Sequence, residues 1–115
     1  MHEVSLAQEV LCIVEESAIK EKFINVVEIV ISIGQLSGVE VDSFLFAMEN
    51  IVPGTVMEGA KITITQPNAT GKCNVCGSSF EPKSRFDNCP SCYTNNVEIV
   101  SGQQLQVIDL IVSTT

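Results

Sequence analysis

Four cysteines carry the most specific chemical pattern in the sequence. Cys73 and Cys76 form one C-x2-C pair, Cys89 and Cys92 form a second, and twelve residues separate them. Two thiolates three positions apart on a tight turn can face one ion, and two such turns together supply the four sulfurs of a closed tetrahedral zinc site. Gly77 follows the first pair and Pro90 lies inside the second, both residue types that tight turns use. Two disulfides, or iron in the same sulfur cage, are the competing readings. Zinc is preferred because nothing else in the chain suggests secretion or electron transfer. Four thiolates saturate zinc and leave no position for water or substrate, so this zinc is structural.

A second candidate site lies at the N-terminus. The single histidine is His2. With Met1 retained, the α-amine, the His2 amide nitrogen and the His2 imidazole can close two adjacent chelate rings on one ion. Glu3 can add a fourth donor through its amide or its carboxylate. Nickel(II) and copper(II) favour such nitrogen-rich, near-planar sets, whereas zinc prefers the thiolates. One chain could therefore hold two metals, sorted by donor type. A lone histidine at position two is far more often an ordinary exposed side chain, so composition alone gives this site little weight.

Composition narrows the class. The chain has 115 residues, 45% of them hydrophobic, and a net charge of −8. That describes one domain, or one domain with a small appended module. No apolar run is long enough to span a membrane. The start lacks the positive region of a signal peptide, and Glu9 and Glu15 interrupt the apolar residues after it. A cytoplasmic protein with reduced thiols is expected. The fifth cysteine, Cys12, lies in an apolar helical stretch and is expected as a buried inert thiol. Residues 1–70 carry ten acids against three bases, while residues 71–95 carry three bases against two acids. Three cations are too few to neutralise a nucleic-acid backbone, so nucleic acid is not an expected partner.

The elements that must position these residues are set by periodicity. Residues 4–20 read as an amphipathic helix with Leu6, Val10, Ile13, Val14 and Ser17 on one face. Residues 24–33 alternate as a strand, with Val27, Ile29, Ile31 and Ile33 on one side. After a two-glycine turn, Val41, Phe44, Leu45, Met48 and Ile51 mark a helix over 41–51 that Pro53-Gly54 stops. Phe44, Phe46 and Met48 are read as core. Residues 60–66 form a strand, and 67–71 a linker. The cysteine stretch has Val75, Phe80, Phe86 and Tyr93 as its only large apolar residues besides the cysteines, too little to fold without metal. A last strand over 105–112 is expected to rejoin the first sheet, with a bulge near Ile108-Asp109. The fold class is α+β: two helices packed on a small three-stranded sheet, with an inserted four-cysteine zinc-ribbon module. The domains are 1–70 with 96–115, and 71–95.

Taken together, Met1-His2-Glu3, Gly34-Gln35-Leu36-Ser37-Gly38-Val39, the Cys73, Cys76, Cys89 and Cys92 ribbon, and Ser101-Gly102 before Leu105-x-Val107 resemble the HypA/HybF family. The resemblance covers essentially the whole chain. It implies a nickel metallochaperone for maturation of [NiFe]-hydrogenase, not an enzyme. It implies His2 as the essential nickel ligand, with Glu3 in the same site, and residues 1–70 with 96–115 as the nickel-binding domain. The same resemblance makes the four cysteines ligands of structural Zn(II), with Ni(II) as cargo. The partners it implies are the GTPase HypB and the hydrogenase large subunit. Some relatives also serve urease maturation, and dimers occur in the family. Unlike some relatives, this chain has no histidine near the cysteines. Two other classes compete. A zinc-ribbon scaffold or nucleic-acid-binding module would favour a basic surface and gives His2 no role. A metal-dependent enzyme would need an open metal position.

Overall fold

The structure is a computed structural model that describes residues 2–115, with side chains from Glu3 onward. Two helices and six strands succeed one another as α1 (His2–Glu21), β1 (Asn25–Ile33), α2 (Val41–Ile51), β2 (Lys61–Thr65), β3 (Thr70–Cys73), β4 (Ser79–Phe80), β5 (Val97–Ser101) and β6 (Leu105–Ser113). They build two three-stranded sheets, ordered β2-β1-β6 and β4-β3-β5. The first is the sheet expected from the sequence, and β6 does return to pair with β1. The second lies within the cysteine region and carries no strong periodic signal. The chain divides into two compact units, residues 1–31, 39–64 and 107–115, and residues 32–38 and 65–106.

In the first unit α1 packs on α2. Ala7, Val10 and Val14 form the buried stripe of α1, at the i, i+3 and i+7 spacing of one helix face. Ile13 is half exposed, at 51%, because it lies one step around from that stripe. Lys22, at φ 60, turns the chain out of α1 in the left-handed conformation that glycine more often supplies. Phe44 and Met48 of α2 are fully buried, and Glu40 caps the helix by accepting the Asp42 amide at 3.3 Å.

Besides Ile13, three expectations for this unit are corrected. Phe46 is 68% exposed, because α2 turns Phe44, Ala47 and Met48 inward and leaves Phe46 on its outer side. Cys12 is exposed rather than buried, since it falls between the buried positions Val10 and Val14. On β1, Val26 is buried and Val27 is half exposed, the reverse of a regular alternation with Ile29, Ile31 and Ile33. The Ile24 amide bonds the Ser113 carbonyl and the Gly34 amide bonds the Gln104 carbonyl, so β6 runs antiparallel to β1. Between those two bonds β1 uses one residue more than β6, a net bulge on β1 that accounts for the slipped face. The burial of β6 also changes phase between Val107 and Leu110, where the sequence pattern breaks.

The second unit is drawn together by backbone more than by hydrocarbon. Thr70 and Gly71, expected in a linker, belong to β3, which pairs antiparallel with β4 and β5. Ala69 just before it is fully buried. The glycine-rich turn after β1 docks here. The Leu36 amide donates to the Gly102 carbonyl at 2.8 Å, and the Gln35 amide donates to the Pro67 carbonyl at 3.1 Å. Gly34 and Gly102 approach so closely that a Cβ on Gly34 would lie 2.2 Å from the Gly102 carbonyl oxygen. Arg85 reaches the same turn, its Nε and Nη2 both donating to the Leu36 carbonyl at 3.1 and 2.8 Å. The pairing of the two glycine motifs thus has a backbone reason. Val75, Phe86 and Tyr93, read as the sparse core of the module, are 64%, 89% and 77% exposed. Phe80, over Gly71, is the one of the four that is half-buried.

Candidate metal centre

The two C-x2-C segments fold into matching turns. The Gly77 amide donates to the Cys73 carbonyl at 3.1 Å, and the Tyr93 amide donates to the Cys89 carbonyl at 2.8 Å. One residue further, the Cys73 and Cys89 amides donate to the Ser78 and Thr94 carbonyls, each at 2.9 Å. Gly77 and Tyr93 close these turns in the left-handed region, at φ 81 and φ 65. Glycine takes that conformation freely, whereas a tyrosine is strained in it. The first turn was legible from Gly77. The second gives no such signal, because its closing residue is a tyrosine.

These turns bring all four sulfurs within 4.8 Å of one another. Two contacts join the segments, Cys73 to Cys92 at 3.5 Å and Cys76 to Cys89 at 3.6 Å. The four thiols are free, and their mutual proximity describes one centre rather than two separate bridges. A tetrahedron with zinc–sulfur arms of ~2.3 Å has edges of about 3.8 Å, close to these separations. Backbone amides point at the sulfurs as well. Val75 and Cys76 donate to Cys73 Sγ at 3.3 Å, and Ser91 donates to Cys89 Sγ at 3.4 Å. Such amide–sulfur bonds stabilise thiolate charge. The donor set therefore fits structural zinc, with Cys73, Cys76, Cys89 and Cys92 as ligands.

Electrostatics distinguish Cys73, Cys76 and Cys92. The Cys76 and Val75 amides hold Cys73 below its ordinary value, against some desolvation. The Ser78 hydroxyl, 3.3 Å from Cys76 Sγ, and then the Ser78 backbone lower Cys76 to about 6. At Cys92 the Thr94 backbone acts to lower the value. Desolvation and the neighbouring thiols outweigh it and raise Cys92 to about 11. Cys73 and Cys89 are buried and Cys76 and Cys92 exposed. The fifth cysteine, Cys12, is pushed above its ordinary value by the Glu16 carboxylate, 3.6 Å away, and belongs to the other unit rather than to this cluster.

At the other candidate site α1 begins at His2. The Met1 amine and the His2 imidazole lie outside the described residues. Glu3 is described and is 8% exposed, unusual for an acid. Its Oε2 accepts the Glu40 amide at 3.2 Å, which ties the first turn of α1 to the start of α2. Sequence reasoning singled out Glu3 and missed Glu40, because residues thirty-seven positions apart share no periodic signal.

Residues 1–112 match the family described as HypA, hydrogenase/urease nickel incorporation, metallochaperone. The chain belongs to the HypA family. It is 39% identical over 107 residues to the hydrogenase maturation factor HypA of Prosthecochloris aestuarii, covering 93% of this chain and 95% of that one. It is 38% identical over 110 residues to the HypA of Geobacter metallireducens, covering 96% and 97%. In fold it is similar to the solution structure of the Ni metallochaperone HypA from Helicobacter pylori, with a TM-score of 0.75 at 23% identity and 98% coverage of both chains. Membership of the HypA family makes this chain a nickel metallochaperone of hydrogenase maturation, with a four-cysteine centre that fits structural zinc. Among the described residues no helix is long and apolar enough to cross a membrane.

Proposed function

We propose that nickel(II) binds this chain at its N-terminus, through the amine, the His2 imidazole and amide nitrogens, and Glu3. The observation that carries this reading is the buried Glu3 in the first turn of a helix that opens at His2. Amides in the first turn of a helix have no acceptor within it, so a metal can take their nitrogens without breaking a helical hydrogen bond. The positive pole of α1 would repel a cation there, and a carboxylate held beside it offsets that repulsion. The cargo site is built on few donors and must release its ion, so its affinity is moderate. Binding needs a neutral imidazole and a free amine, and it weakens as pH falls through the histidine range.

The chain acts as a carrier rather than a catalyst. Its resident zinc is closed by four thiolates and supplies a fold, not an open coordination position. Its partners in hydrogenase maturation are the GTPase HypB and the [NiFe]-hydrogenase large subunit, in the cytoplasm, with urease maturation as a second outlet and a homodimer as a form the family adopts. A nickel titration of untagged protein, followed by absorbance, tests the reading. It expects about one nickel per chain at nitrogen-type donors while zinc stays on the thiolates. Nickel that enters only by displacing zinc would overturn it.

A further inference from the structure

We infer that the groove beside Glu3, between α1 and α2, is the docking site for an amphipathic helix of a partner protein that bears lysine or arginine along its margins. The groove has a volume of about 510 Å³. Its α2 wall is formed by Asp42, Ser43, Phe46, Ala47, Asn50 and Ile51, residues that recur at i, i+1, i+4, i+5, i+8 and i+9 and so form one continuous helix face. That face is about 13.5 Å long, roughly two and a half helical turns. Glu3 and Val4 of α1 form the opposite wall.

Phe46 is 68% exposed and Val4 is 41% exposed in this groove, a large aromatic surface that the core leaves uncovered. A groove of this length matches helix-in-groove recognition, in which side chains at i, i+3 or i+4, and i+7 enter an apolar channel. Charge selects the occupant. Among the described residues, the ionisable ones lining the groove are Glu3 and Asp42, with no lysine or arginine beside them. The unit that contains it holds eleven acids against three bases, whereas the cysteine-bearing unit balances three against three. The whole net charge of −8 therefore belongs to the groove's side of the chain. An acidic surface of this kind steers a basic partner and repels an acidic one.

This inference rests on the proposed hand-off of nickel to protein partners, and it adds where one of them sits. Glu3 belongs to both the groove wall and the proposed nickel site, so a helix docked here lies beside the cargo.

Phe46→Ser tests it, since the side chain is exposed and lies outside the nickel and zinc donor sets. Binding of the full chain to purified HypB and, separately, to the purified hydrogenase large subunit is measured by calorimetry at low and high salt. The wild type is expected to bind at least one of them. Phe46→Ser should weaken that binding at least about ten-fold, with nickel stoichiometry and melting temperature unchanged. Asp42→Asn should weaken it at low salt and much less at high salt. Undiminished binding by Phe46→Ser overturns the groove and leaves the carrier reading standing. A wild type that binds neither protein removes the partner reading and this inference with it. Binding that Phe46→Ser weakens equally at all salt, with Asp42→Asn silent, overturns the basic helix as occupant.

Discussion

At the residue scale Cys76 and Cys92 bind protons differently, and this shapes how zinc is held. Zinc takes thiolates, so any proton on a ligand must leave first. Cys92, raised to about 11, gives up a proton on binding at neutral pH, whereas Cys76, lowered to about 6, is already a thiolate there. Apparent zinc affinity therefore rises with pH. Its slope steepens below about pH 6, where Cys76 also becomes protonated. Competition with a chromophoric chelator over roughly pH 5 to 8 measures this, and a slope that flattens on the acid side would contradict it. The left-handed turn at Gly77 gives a second prediction. An added Cβ there meets nothing within 4 Å, so Gly77→Ala should cost only the conformational term of about 1–2 kcal/mol, read from denaturant unfolding of the zinc-loaded protein. Cysteine spacing was legible because it is a local property of the chain. The Tyr93 conformation was not, because a non-glycine residue at φ 65 is imposed by the turn it closes and carries no mark of its own.

At the element scale the contacts that matter lie far apart in sequence. Gly102 shows this most sharply. It has φ +95, and a Cβ would sit 2.4 Å from Ala69 Cα, a backbone atom that cannot move aside cheaply. Gly102→Ala should therefore cost well above the Gly77 value, on the order of 4 kcal/mol or more, and lower the melting temperature accordingly. Equal effects of the two substitutions would refute the close-approach argument. Glu3→Ala removes the acceptor of the Glu40 amide and should cost about 1–3 kcal/mol, with Glu3→Gln milder because its carbonyl can still accept. Helix α2 could be read at its observed bounds, because its period is regular and Pro53-Gly54 ends it. The exposed faces could not. Phe46 and Cys12 are apolar residues in amphipathic helices, and which of two adjacent positions turns inward depends on what packs opposite. The β1 bulge likewise shows itself only in the partner strand's register.

At the scale of the whole molecule the two units are stabilised by different means. The first buries Phe44, Met48, Ile29 and Val14, a hydrocarbon core. The second buries Ile33, Ala69, Cys73 and Cys89, and it has the β4-β3-β5 ladder and a four-cysteine centre that fits zinc. A strong chelator should strip protection from β3 and β5 amides in hydrogen exchange while α2 amides stay protected. Simultaneous loss in both units would show one cooperative core instead.

Nickel binding by untagged His2→Ala beside the wild type, with zinc content measured on the same samples, tests the N-terminal nickel site most directly. His2→Ala is expected to lose tight nickel binding, keep about one zinc per chain and melt as the wild type does. Nickel bound by His2→Ala at wild-type affinity and stoichiometry would contradict that site and place the cargo elsewhere on the chain.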